Sequence, residues 1–205
     1  MCYSPEVSIG TFAFVALAAG YMWMRNRPAD RGLAILFVAI ALMQLVEFVL
    51  WLVVDTCDDT NRSATMLVPL ALLIQPLLAT WAAWQYKIGW LGGYKQFFFL
   101  LLALTPIALW DTFRHQSNDC VVLENGHLAW PPYTYNKRFD SWIVGFFYWI
   151  GLMYVITTLK NVPLAILLTA AYSWTYYKSL QAGNAWPSVY CHSVNALVVL
   201  AVLLN

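Results

Sequence analysis

"ALMQLVEFVLWLVVD", residues 41–55, is the stretch on which the reading of this chain turns. It belongs to an apolar run long enough to cross a bilayer, yet it holds one carboxylic acid, Glu47. A carboxylate in hydrocarbon costs on the order of several kcal/mol unless it is paired, protonated or hydrated. Gln44, Glu47 and Trp51 recur at i, i+3 and i+7, which puts one polar and aromatic stripe on the helix. That stripe is expected to face other helices. Glu47 lies two turns before Asp55, roughly 10 Å below the helix end from the helical rise.

The rest of the chain supplies the other helices. Of its 205 residues 61% are hydrophobic and 10% charged, against about 25% charged in a soluble domain. Seven apolar segments follow from length and flanks: 6–24, 32–54, 64–86, 95–113, 141–159, 162–178 and 187–204. The last two are short and the turn at 159–162 is tight, so six spans is the alternative count. The expectation is an all-α membrane protein, a single domain over residues 1–205, built as a seven-helix bundle. Val7 to Met24 follows an acid, Glu6, rather than a basic stretch, and has no clear cleavage site, so it reads as a first spanning helix and not a signal peptide. The net charge of +1 suggests neither nucleic acid nor an acidic partner. Membrane lipids are the expected surroundings, with a homo-oligomer or a larger membrane complex open.

Orientation follows from the bases. With seven spans, the loops Arg25–Arg31, Lys87–Lys95 and Lys160 hold six bases and one acid, Asp30. The other side, with Asp111 at a helix end, holds five bases and eight acids. The positive-inside tendency places the N-terminus outside and the C-terminus in the cytoplasm. All four cysteines, Cys2, Cys57, Cys120 and Cys191, then fall at the outer face, which implies an oxidising compartment there. Four cysteines permit three pairings; proximity favours Cys2 with Cys191 and Cys57 with Cys120, against four unpaired small apolar residues. No CxxC spacing points to a metal site. Asn61-Arg62-Ser63 is an N-glycosylation sequon on the same side. The segment 114–140, with "ENGHLAWPPYTYNKRFD", is too long for a simple connector and reads as an extracytoplasmic cap.

Partners for Glu47 can be named. Gln75 precedes Pro76 midway along the third segment, and a proline there frees a backbone carbonyl about a turn earlier. Thr105-Pro106 repeats the feature in the fourth, with Asp111 beyond it. His192, Ser193 and Asn195 are polar positions early in the last segment. Together they suggest a cavity open to the outside. His127 in the cap and His192, with Glu47, Asp55 or Asp111, form a candidate acid/base pair or metal site, although an interfacial His127 and a hydrogen-bonding His192 are simpler readings. His115 reads as solvated. Trp23, Trp51, Trp84, Trp90, Trp142, Trp174 and Trp186 lie near helix ends and read as interfacial anchors. Retinal chemistry has no lysine inside the last helix, the paired histidines of zinc-dependent intramembrane hydrolases are missing, and bis-histidine haem lacks its ligands.

"MCYSPEVS", "LMQLVEFVLW", "VVDTC", "LLIQPLL", "GHLAW" and "PSVYC" occur in that order along nearly the whole chain. In this the chain resembles an uncharacterised family of small, mainly bacterial polytopic membrane proteins that open Met-Cys-Trp/Phe-Ser and end with Trp-Cys in the last helix. Tyr3 and Tyr190 depart from that pattern without changing chemical class. The resemblance maps shared positions onto Cys2, Ser4, Ser8, Glu47, Asp55, Cys57, Gln75, Pro76, His127, Trp130 and Cys191. It implies a membrane fold with a shared site, and it strengthens a Cys2–Cys191 pair closing the bundle beside Glu47. It implies no particular activity, and the sequence assigns no cofactor.

Three functions fit these residues. The first is binding or movement of a proton, cation or small polar solute at Glu47, Gln44, Gln75, Asp55, Asp111, His127, His192 and Asn195. The second is an intramembrane enzyme acting on a lipid or small hydrophobic substrate, and the third an accessory subunit in which Glu47 only packs.

Overall fold

The computed structural model describes residues 4–116, 120–124, 126–129, 150–182 and 191–205. Helix α1 spans Pro5–Arg25 and α2 spans Asp30–Trp51. A short α3, Asp59–Thr65, leads through Met66 into α4, Leu67–Tyr86. Helix α5 spans Tyr94–Gln116. Strands β1, Val122–Glu124, and β2, His127–Ala129, form an antiparallel hairpin pairing Val122 with Ala129 and Glu124 with His127. Residues 150–157 are helical and are called α6; α7 is Val162–Ala182 and α8 is Cys191–Leu204.

The chain is built of helices, and four helical runs, Pro5–Arg25, Asp30–Trp51, Asp59–Tyr86 and Tyr94–Arg114, are long and apolar enough to cross a membrane. Val162–Trp174 and Val194–Leu204 are shorter apolar helices. Large side chains such as Leu17, Met24, Trp110 and Leu203 stand outward, each at least 70% exposed, as on a surface that meets lipid rather than water.

Local chemistry explains the helix ends. Ser4 caps α1 by accepting from the Val7 N–H at 3.4 Å, with Pro5 in the first turn. Asn26 ends the helix in the left-handed conformation, its N–H bonded to the Met22 carbonyl. The third apolar run begins at Asp59, earlier than hydropathy indicates, because the Asp58 carboxylate accepts from the Asn61 N–H at 2.9 Å and starts a polar first turn. Helices α4 and α5 continue through Pro76 and Pro106, so neither proline breaks its helix. Thr105 donates to the Leu101 carbonyl at 2.8 Å, supporting the turn before Pro106.

Helix α2 is central, packed on α1, α4 and α8, with β2 against it as well. Its Leu33, Leu36, Phe37 and Leu50 are buried among Val15 and Met22 of α1, Val68 and Ala79 of α4, and Val198 and Ala201 of α8. Many contacts are alanines, which let the helices approach closely and gain dispersion where lipid supplies no hydrophobic drive. Gly151 of α6 lies against Pro76, where an added Cβ would meet the Pro76 Cβ at 2.5 Å.

One end of the molecule gathers the turns. Arg25 donates to both Asp30 carboxylate oxygens at 2.7 and 2.8 Å and to the Val202 carbonyl at 2.7 Å. Asn205 donates to Asp30 and to the Pro28 carbonyl, and Asn161 to the Leu204 carbonyl. The Lys160 N–H donates to the Ile88 carbonyl at 2.8 Å. The turns at 26–29, 87–93 and 158–161 and the end of α8 therefore share one face.

The opposite end is clamped differently. Cys57 and Cys120 form a disulfide with Cα atoms 5.6 Å apart. Beside it Asn61, fully buried, donates through Nδ2 to the carbonyls of Val53, Thr56 and Val121, and accepts on Oδ1 from the Val121 N–H at 2.9 Å and the Thr65 hydroxyl at 3.1 Å. The amide that would carry a glycan is thus consumed in packing, and the sequon is a structural asparagine. The hairpin expected only as cap sits on the core through buried Val121 and Leu128. The rest of that cap, residues 117–119, 125 and 130–140, and the Cys2–Cys191 pairing lie outside the described residues.

Candidate functional site

Two helices of one hairpin bring the first polar groups together. Helices α1 and α2 run antiparallel from the turn at 26–29, so residues equally far from it lie at one level. Thr11 is as far from Arg25 as Gln44 is from Asp30, and Ser8 as far as Glu47. All four side chains are buried. Helix α4 adds Gln75, about as far above Tyr86 as Gln44 is above Gly32, and Tyr86 packs at Gly32. Helix α8 adds Asn195, whose Nδ2 donates to the Thr11 hydroxyl at 3.3 Å.

The result is a polar belt of buried Ser8, Thr11, Gln44, Glu47 and Gln75, with half-buried Asn195 beside them, drawn from four helices. Glu47 has no exposed surface and Gln44 and Gln75 are 1% exposed. The stripe deduced from Gln44, Glu47 and Trp51 does face the interior, with Trp51 half-buried. The site is closed to solvent at Glu47, so the outward-open cavity expected there is not the state described.

Three belt or flanking atoms are buried without a hydrogen-bond partner among the described residues: Gln75 Oε1, Asn195 Oδ1 and Trp51 Nε1. Each such group costs about 1–3 kcal/mol. A fold that keeps two acceptors and one donor unused in its core retains capacity to bond something further. Ser8 donates back to the Ser4 carbonyl at 3.4 Å, as hydroxyls in apolar helices often do.

The remaining candidates are placed less centrally. Asp55 is exposed beyond the end of α2. Asp111 is half-buried towards the far end of α5 from Tyr94. His127 is in β2 and His192 in the first turn of α8, but their side chains lie outside the described ones. Among the described residues no group of three or more His, Cys, Asp or Glu side chains is placed to hold a metal ion. Trp23, Trp90 and Trp174 are exposed, and Trp84 half-buried, as interfacial anchors would be; Trp142 and Trp186 lie outside the described residues.

No family model, curated protein or solved structure matches this chain.

Thr11 is the belt residue that sequence reasoning missed. A lone threonine in an apolar helix carries no signal of its own, and only its level opposite Gln44 gives it meaning. Ser8 enters the sequence reading through family resemblance alone.

Proposed function

We propose that this chain is a multi-pass membrane protein that binds or moves a proton, a cation or a small polar solute at the belt around Glu47. The observation that carries the reading is the burial of five polar side chains from three helices, with Asn195 of α8 half-buried beside them and unused acceptors at Gln75 and Asn195. Intramembrane polar groups are costly and are retained where a pathway or ligand needs them. In this reading Glu47 is the titrating group, Gln44 and Gln75 are ligands, and Ser8 and Thr11 complete the lining. Cation passage requires an open state in which water reaches Glu47 from the Asp55 end.

The seven-span topology belongs to the same proposal. The N-terminus and the Cys57–Cys120 end face an oxidising compartment, and the basic turns and the C-terminus face the cytoplasm. The disulfide supports the first assignment and the crowding of Arg25, Arg27, Arg31, Lys87 and Lys160 at the other end supports the second. Within it we place the chain with the small polytopic membrane family it resembles, and a Cys2–Cys191 bond beside the belt.

Proteoliposomes with an imposed pH gradient test the activity. Wild type is expected to pass protons, or to take up sodium or potassium with a pH-dependent rate, and Glu47→Gln to lose that dependence while melting as wild type does. Normal pH-dependent flux in Glu47→Gln overturns the proposal. The accessory-subunit reading is favoured by one observation, the complete burial of Glu47. It requires that Glu47→Gln be tolerated and that a partner co-purify in stoichiometric amount. The enzyme reading rests on His127 and Glu47 in acid/base or metal-binding roles, and metal analysis of purified protein addresses it.

A further inference from the structure

An open cleft of about 280 Å³ runs between α1, α2 and α4, lined by Ala16, Ala19, Gly20, Val38 and Leu78 and bounded by Trp23. From Ala16 to Trp23 it extends about 10 Å along the helix axis, by the helical rise. Its lining is apolar, on a surface that meets lipid if the chain spans a membrane. A built Cβ at Gly20 touches nothing within 4 Å, so the floor is empty rather than merely tightly packed.

The chemistry changes at the Trp23 end. The Arg31 guanidinium lies over the Trp23 ring, 5.2 Å from its centroid, and Trp23 meets Tyr86 edge-on at 6.3 Å. Lys87 follows Tyr86, and Arg27 lies in the turn between α1 and α2. The nearby carboxylate, Asp30, is fully buried and already held by Arg25, Asn205 and the Arg27 N–H. Arg27, Arg31 and Lys87 are exposed and have no ion-pair partner among the described residues. An apolar slot thus ends in three cations, and the one acid beside them among the described residues is spent.

We propose that this cleft is a binding site for an anionic phospholipid, one acyl chain lying along Gly20 and the phosphate held by Arg31, with Arg27 and Lys87 adding charge. The occupant is argued from charge complementarity: apolar length and uncompensated bases in sequence match the two halves of such a lipid. A zwitterionic lipid would satisfy the slot but not the excess positive charge. Arg31 is pre-positioned by its stacking on Trp23, and its planar fork suits a phosphate. This inference rests on the membrane reading, and is independent of whether Glu47 moves anything.

Native mass spectrometry of the detergent-purified full chain, titrated with phosphatidylglycerol or phosphatidylcholine, tests it. Wild type is expected to retain phosphatidylglycerol in preference. Arg31→Gln should weaken phosphatidylglycerol about fivefold, the effect of one base near a membrane surface, and leave phosphatidylcholine unchanged. Gly20→Leu should weaken both lipids, because the new side chain fills the slot without meeting protein. Millimolar inorganic phosphate should not displace the lipid; displacement would assign the bases to a free phosphate and overturn the proposal. Equal affinity for the two lipids, or unchanged binding in both variants, overturns it too. A flux defect in Glu47→Gln bears on neither result, so the two proposals fail separately.

Discussion

Asn61 ties three segments with one amide. Its carboxamide bonds the last turn after α2, the first turns of the α3–α4 run and the strand entry at Val121. Asn61→Ala removes the donor to the Val53, Thr56 and Val121 carbonyls and leaves the Val121 N–H with the Thr65 hydroxyl oxygen alone. A loss of about 1–3 kcal/mol is expected for each group left unsatisfied, read from chemical denaturation in detergent micelles. The same burial predicts that expression through a glycosylating secretory pathway adds no sugar mass at Asn61. Beside it, the Asp58 carboxyl is held below its ordinary range, first by the Asn61 N–H that donates to it. A folded pKa below the unfolded one means the cap's contribution is complete above the unfolded value and is lost as pH falls through the folded one. Melting temperatures between about pH 2 and 6, spanning the carboxylate range, should fall for wild type with a step that Asp58→Asn lacks. None of this was legible locally, since a side-chain amide bonding a backbone sixty residues away leaves no periodic trace. The triplet around Asn61 even points to a different chemistry.

Helices were legible and their joints were not. Length and hydropathy mark α1, α2, α4 and α5 because a membrane demands internally satisfied backbone. The α3 turn, the β1–β2 hairpin and the unbroken passage of α4 through Pro76 depend on contacts between distant segments. The disulfide shows both sides. Sorting cysteines by side brings Cys57 and Cys120 together, while the hairpin that follows Cys120 has no alternating pattern long enough to read. Closing 63 residues of separation, the bond is expected to contribute about 2–4 kcal/mol. Cys57→Ser with Cys120→Ser should lower the denaturation midpoint accordingly, and hydrogen exchange should rise first around Val121 and Leu128. At the other joint, Gly151→Leu drives a branched side chain into Pro76 and Leu101. Overpacking of this kind costs about 1–3 kcal/mol and should separate α6 from α4, which a denaturation midpoint reads directly.

The described residues are asymmetric end to end, and the proposed topology rests on that asymmetry. One end is tied by a disulfide and a buried amide; the other by an ion pair, with Asp30 fully buried, and by the end of α8. The polar belt lies between them, legible on α2 because the i, i+3, i+7 spacing is local and on α8 as the polar position Asn195, and illegible at Thr11, which gains meaning only at the level of Gln44. Native lysines report which end faces which compartment, with no engineered residue. Lys87 and Lys160 are exposed at the Arg25 end, whereas the sequence places Lys137 and Lys178 on the opposite side. In sealed vesicles with the native outer face outward, an impermeant amine reagent should modify Lys137 and Lys178 and spare Lys87 and Lys160 until the membrane is permeabilised. Labelling of Lys87 or Lys160 before permeabilisation would invert the orientation. It would then put the Cys57–Cys120 bond on the reducing side, where such a bond does not persist. Loss of the α7 crossing would put Lys178 on the protected side with Lys87 and Lys160. Peptide mapping of the labelled protein distinguishes these patterns, and protection of Lys87 and Lys160 with labelling of Lys137 and Lys178 fits the basic turns inside.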